Sequence, residues 1–215
     1  MPYVISGNVD SNRIVNPERT LEFSKAFYHP LARGEELTPE LLALKPDPYF
    51  VKGPDKGSMP EIFGEHLGVW TVKENVKQII EELEPDVHTF IPVNLRVRGS
   101  EQDWGQYYLL YPGQAIDAIV IDETDFAEGK GRAGFGKLIG STAPVPSYTL
   151  SPFGNTVLDG ALIAGRHLWR GARARLGQSI PFFSYLFCSD ELAEQIKGAG
   201  IEGWRFRRCK LKQDS

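Results

Sequence analysis

Between Thr71 and Val97 the hydrophobic pattern of the chain changes period once, and the two halves of that stretch predict two different elements. Val72, Val76, Ile79, Ile80 and Leu83 fall on one face of a helix, with Lys73, Lys77, Glu81 and Glu82 outside it. Thr71 followed by Glu74 has capping-box form: the hydroxyl accepts from an early backbone N–H and the carboxylate reaches back to the cap. Pro85, beside Asp86, marks the stop, because proline lacks a donor and disfavours helix in the residue before it. The period then drops from about 3.6 to 2. Thr89, Ile91, Val93, Leu95 and Val97 face one way; Phe90, Pro92, Asn94, Arg96 and Arg98 face the other. Pro92 points to an edge strand or a bulge.

The same reading places a short strand at Tyr3-Val4-Ile5 and a short helix from Arg19 to Phe27, ended by Pro30. Thr38-Pro39-Glu40 opens another helix, with proline at the first helical position. Four prolines and two glycines between Lys45 and Pro60 mark an irregular connection, and the loosest domain boundary falls there. Residues 1–60 are expected to be an N-terminal extension packed on a main domain of residues 61–215. Gln106–Tyr111 and Ala115–Ile121 are strand candidates joined through Pro112-Gly113, a hairpin or meander. Residues 156–163 and 167–169 supply one or two further strands. Phe182–Cys188 reads as an apolar strand, Ser189 as an N-cap, Asp190–Lys197 as a helix and Gly198 or Gly200 as its left-handed stop. Trp204, Phe206 and Arg208 alternate with Arg205, Arg207 and Cys209 in a closing strand. This strand–helix–strand ending echoes residues 69–97, although the two sequences align too poorly to establish a repeat. The predicted architecture is α+β: a mixed or mainly antiparallel sheet with a few helices packed on it.

Composition narrows the class. A chain of 215 residues with 41% hydrophobic and 24% charged residues has the make-up of a folded globule and not of a disordered chain. No apolar run approaches the roughly 18 residues of a membrane helix, and the N-terminus lacks the basic and apolar regions of a signal peptide. A cytoplasmic location, without membrane association, is expected. Cys188 and Cys209 are too few for a disulfide framework and are expected to be buried thiols. Net charge is −4, unevenly spread: residues 1–165 carry 14 Lys/Arg against 23 Asp/Glu, and residues 166–212 carry 10 against 4. An acidic surface repels phosphate and speeds encounter with a basic partner, so direct nucleic-acid binding is not expected.

Candidate chemistry is sparse. Glycine-rich residues 129–137, with Lys130, Arg132 and Lys137, resemble an anion cradle. They lack the GK[ST] ending of a P-loop and the spacing of a dinucleotide fingerprint. The densest acidic stretch, Asp117, Asp122, Glu123, Asp125 and Glu128, does not follow the calcium-loop pattern and reads as solvated or partner-facing. His29, His66, His88 and His167 have no zinc spacing, and no serine lies in a nucleophile elbow. Neither a metal nor a cofactor is expected. The four tryptophans read as core before partner anchors, Trp204 above all.

Three passages carry a family resemblance: VKENVKQIIEELEPDVHTFIPVNL, YYLLYPGQAIDAIVID and LFCSDELAEQIKGAGIEGWRF. Together they are similar to an immunity protein family of bacterial polymorphic toxin systems, over about residues 60 to 210. The resemblance implies a non-catalytic inhibitor that binds a cognate toxin domain, with no catalytic set to carry over. If the toxin is basic, as a nuclease is, the partner-facing residues expected are Asp122, Glu123, Asp125 and Glu128, with Glu81, Glu82 and Glu84 as a second patch. Two readings stand against it: a small-ligand or nucleotide-binding protein or enzyme using Lys130, Arg132 and Lys137, and a structural adaptor without a toxin partner.

Overall fold

The computed structural model describes residues 1–7, 16–17, 38–45, 48–52, 59–66, 69–97, 103–129, 147–171 and 185–212. In chain order the first strands are β1 (Tyr3–Gly7), β2 (Asn16–Pro17), β3 (Tyr49–Lys52), β4 (Ile62–His66), β5 (Val69–Val72), β6 (Thr89–Val97) and β7 (Asp103–Tyr111). They are followed by β8 (Ala115–Ile116), β9 (Phe126–Gly129), β10 (Ser147–Leu150), β11 (Val157–Leu158), β12 (Leu168–Gly171), β13 (Leu186–Cys188), β14 (Trp204–Arg208) and β15 (Lys210–Leu211). The helices are α1 (Pro39–Ala43), α2 (Glu74–Leu83) and α3 (Asp190–Gly198).

Of four sheets among the described residues, the two larger run β14-β1-β13-β12-β8 and β2-β3-β6-β7-β5-β4, each with one parallel pair, and the two smaller pair β9 with β10 and β11 with β15, so the fold is α+β with mixed sheets. Helices α2 and α3 pack side by side and share one core. Val76 and Ile80 of α2 and Leu192, Ala193 and Ile196 of α3 meet Tyr3, Ile5, Leu186 and Cys188 of one sheet and Trp70, Val72 and Leu110 of the other. Neither helix could bury its apolar stripe alone, and the common layer is what welds the two sheets. A second core, including Tyr49, Val51, Ile91, Val93, Leu95, Tyr107 and Leu109, fills the opposite face of the longer sheet. A third, with Val4, Trp169, Phe187 and Cys209, does so for the shorter one.

The echo between the two strand–helix–strand stretches is topological. In the order β4-β5-β7-β6 every neighbouring pair is antiparallel, and α2 links β5 to β6 across the intervening β7. In the order β12-β13-β1-β14 every pair is again antiparallel, and α3 links β13 to β14 across β1. The second unit thus draws its central strand from the N-terminus. The units touch at Trp70 and Trp204, whose rings meet edge to face at 5.8 Å. They also touch at Gly203, where a Cβ would overlap the backbone carbonyl of Ile62.

Several expectations are met. Thr38 caps α1 through its hydroxyl, Ser189 caps α3 by accepting from Leu192 N at 3.1 Å, and Gly200 follows α3 with φ of 67°. Both cysteines are buried free thiols. Others are corrected. The cap of α2 is Lys73, without a side-chain cap bond, because Thr71 is buried in β5 opposite Leu109. Pro92 lies in an interior strand; β3 begins pairing with β6 only at Leu95, so the proline's missing donor breaks no ladder there, and a register shift follows between Asn94 and Arg96. Pro112-Gly113 makes no hairpin: β7 belongs to the longer sheet and β8 to the shorter, so the chain crosses between sheets there. Strands before residue 60 take part in both larger sheets, β1 lying between β13 and β14 and β3 pairing with β6. The helix expected at 19–27 lies outside the described residues.

Truncating Trp70 to Ala removes a fully buried ring from the layer that joins the units, and a loss of about 3–5 kcal/mol is expected in urea unfolding. A double-mutant cycle with Trp204→Ala should return a coupling of about 0.5–1.5 kcal/mol.

Candidate functional site

Two regions hold the acidic residues expected to face a partner. The first is the turn Ile121–Glu123, where Asp122 and Glu123 are exposed and, among the described residues, engage in no ion pair. Buried Thr124 pins that turn, its hydroxyl accepting from Val157 N at 3.0 Å and donating to Val157 O at 3.3 Å. Asp125 points elsewhere. Its Oδ2 accepts from Asn155 N at 2.8 Å and Asn155 Nδ2 at 3.3 Å, while its backbone bonds Asn155 O and Ser151 N. Asp125 thus clamps the loop of residues 151–155 through one carboxylate oxygen while its side chain stays exposed. Glu128 lies opposite Tyr148 in the β9–β10 ladder; its side chain is outside the described part.

The clamped loop carries a residue that the sequence reading passed over. Gly154 N donates to Ser151 O, Gly154 O accepts from Arg207 Nη1 at 2.6 Å, and a Cβ on Gly154 would overlap the side chain of Asp125. Phe153, between them, is 99% exposed. The available signal was an aromatic residue inside a Ser-Pro-Phe-Gly turn, where no strand or helix could take it into a core.

The second region is the C-terminal end of α2. Glu82 is exposed, and Glu81 pairs with Lys77 at 2.8 Å, an i,i+4 contact on a half-exposed surface worth about 0.3–0.5 kcal/mol. Glu84 does not belong to a surface patch. It is 5% exposed and sits where the two sheets meet. Its Oε2 accepts from His88 Nε2 and from the backbone N–H of Leu168, both at 2.8 Å, and its Oε1 accepts from Gln114 Nε2 at 2.7 Å. Gly113 N donates to His88 Nδ1 at 3.2 Å, which leaves the ring proton on Nε2, facing the carboxylate. A Cβ on Gly113 would overlap the Val87 carbonyl, so the crossing between sheets presses directly on the turn after α2. Beside this cluster, Arg170 lays its guanidinium 4.7 Å from the Tyr111 ring centre and donates to the Tyr111 hydroxyl at 3.1 Å. The i,i+4 spacing of Glu84 and His88 was the sequence signal for the pair; Gln114 and Leu168 arrive only through the fold.

Burial alone would raise the Glu84 pKa. The hydrogen bonds from His88, the amide between His167 and Leu168, and Gln114 outweigh it and lower the value to about 2. A carboxylate held there supports a joint, not proton transfer near neutrality. Lys130, Arg132 and Lys137 lie outside the described residues. Among the described residues no three His, Cys, Asp or Glu side chains gather as a metal site, and no helix is long and apolar enough to cross a membrane.

Since the Glu84 pKa is depressed from its ordinary 4.5 to about 2, its contribution to stability, of about 3 kcal/mol, is present above pH 4.5 and is lost as pH falls toward 2. Glu84→Gln should lower unfolding free energy at pH 7 by an amount of that order. The gap between variant and parent should narrow when urea unfolding is repeated at pH 3.

No curated protein matches the chain. A family model described as "Immunity protein family (Imm11)" matches residues 8–211, nearly the whole sequence and including β2 and β3 before residue 60. The chain belongs to the Imm11 immunity protein family.

Proposed function

We propose that this chain is a stoichiometric, non-catalytic inhibitor that binds a cognate bacterial toxin domain and blocks its active site or its substrate surface. The observation that carries the reading is the family match over residues 8–211. Its geometry agrees with a binding role: the buried ionisable cluster at Glu84 is consumed by structural hydrogen bonds, and the exposed acidic residues Asp122, Glu123 and Glu82 are, among the described residues, free of ion pairs. A net charge of −4 favours a basic partner, and a nuclease, which must itself attract phosphate, is one class that fits. Of the residues expected to meet the toxin, Asp122, Glu123, Asp125 and Glu128 form the primary patch and Glu81 with Glu82 the second; Glu84 is buried and holds the fold beneath the second.

The test is co-expression with the product of the adjacent gene, reading growth and co-purification together. Rescue with a stable complex is the expected result, and growth arrest with no complex would refute it. Within a complex, reversing Asp122 and Glu123 to Lys should slow association about tenfold at low salt, with the difference shrinking as ionic strength rises. Association rates unchanged after reversal of both patches would remove electrostatic steering from the account.

A further inference from the structure

We infer that Phe153 is the apolar anchor of the toxin-binding surface, and that its acceptor is an apolar pocket on the toxin domain bordered by basic groups. The inference rests on the toxin-binding reading and specifies its surface.

Isolated exposed apolar side chains are ordinary, but they are ordinarily half covered by their own neighbours. Among the described residues the next most exposed large apolar side chains are Met1 at 53% and Leu44 and Leu162 at 52%, against 99% for Phe153. Its loop is not loose. Ser151 and Asn155 are bonded to the Asp125 backbone, Asn155 again to the Asp125 carboxylate, Gly154 N to Ser151 O and Gly154 O to Arg207. The backbone order that a partner would otherwise impose is thus already in place, and an aromatic ring with two rotatable bonds has little further entropy to lose. A fully solvated phenyl ring carried on a hydrogen-bonded backbone matches the aromatic anchors that dominate interface energies.

Charge supplies the border. Asp122 and Glu123 precede Asp125 by three residues and two, and Gly154 lies against Asp125. With about 3.8 Å between successive Cα atoms, the Cα atoms of Asp122 and Glu123 lie at most about 11 and 8 Å from that of Asp125, whose side chain meets the residue after Phe153. An apolar centre with an acidic rim is complementary to a pocket lined by apolar groups and edged by Lys or Arg. The α2 patch has no comparable centre, for Glu81 is paired and Glu84 is buried.

The experiment uses the full chain and the toxin domain encoded beside it, inactivated for handling, with binding followed by surface plasmon resonance. Phe153→Ala is expected to weaken affinity about thirtyfold or more, chiefly through faster dissociation, with an unchanged melting temperature. Phe153→Tyr should retain most of the affinity, and Leu44→Ala, on α1, should bind as the parent does. Phe153→Ala binding within twofold of the parent would overturn the anchor while leaving toxin binding intact. A lowered melting temperature accompanying the loss would assign Phe153 a folding role and overturn it also. A parent chain that forms no complex with the toxin domain would remove the functional reading itself. A parent chain that is dimeric by light scattering and becomes monomeric on Phe153→Ala would show the acceptor to be a second copy, against the inference.

Discussion

The carboxylate of Glu84 is the point through which the two sheets are tied. One oxygen reaches the amide that begins β12 in the shorter sheet, and the other reaches Gln114 on the crossing from β7 to β8. His88, on the turn that leads into β6, donates to the same group. A buried carboxylate left with even one of these donors missing would cost more than the bond is worth, so the three segments are held in register together. Gly113, whose position admits no side chain against Val87, is the steric counterpart of that electrostatic joint.

Around the joint, two units of like topology place their helices in a common layer, where Val76, Ile80, Leu192, Ala193 and Ile196 are buried against the sheets. What the fold leaves for a partner is therefore at its margins. Asp122 and Glu123 stand on a short turn pinned by Thr124, next to a loop that Asp125 holds rigid with Phe153 at its tip. The shape of this surface is set by internal hydrogen bonds, and among the described residues Asp122 and Glu123 engage in no ion pair.

The helices and strands with strong period were legible because period and capping act within a few residues, as at Ser189 or along Ile91, Val93 and Leu95. The sheet exchange at Pro112-Gly113 was not, since two extended segments about a Pro-Gly read alike whether the second folds back or crosses over. Glu84 follows Glu81 and Glu82 and looks like a surface run; only donors from Gln114 and Leu168, remote in sequence, make its burial tolerable. Phe153 went unnoticed for the opposite reason. An apolar residue is assigned inward by default, and its exposure depends on a clamp to Asp125 from the far side of the β9–β10 pair.

The central claim is that this chain acts by binding one toxin domain, stoichiometrically. Isothermal titration of the purified chain against the inactivated product of the adjacent gene tests that most directly. A one-to-one complex with nanomolar Kd is the predicted result. The absence of any binding heat across temperatures, together with separate elution of the two proteins, would contradict it.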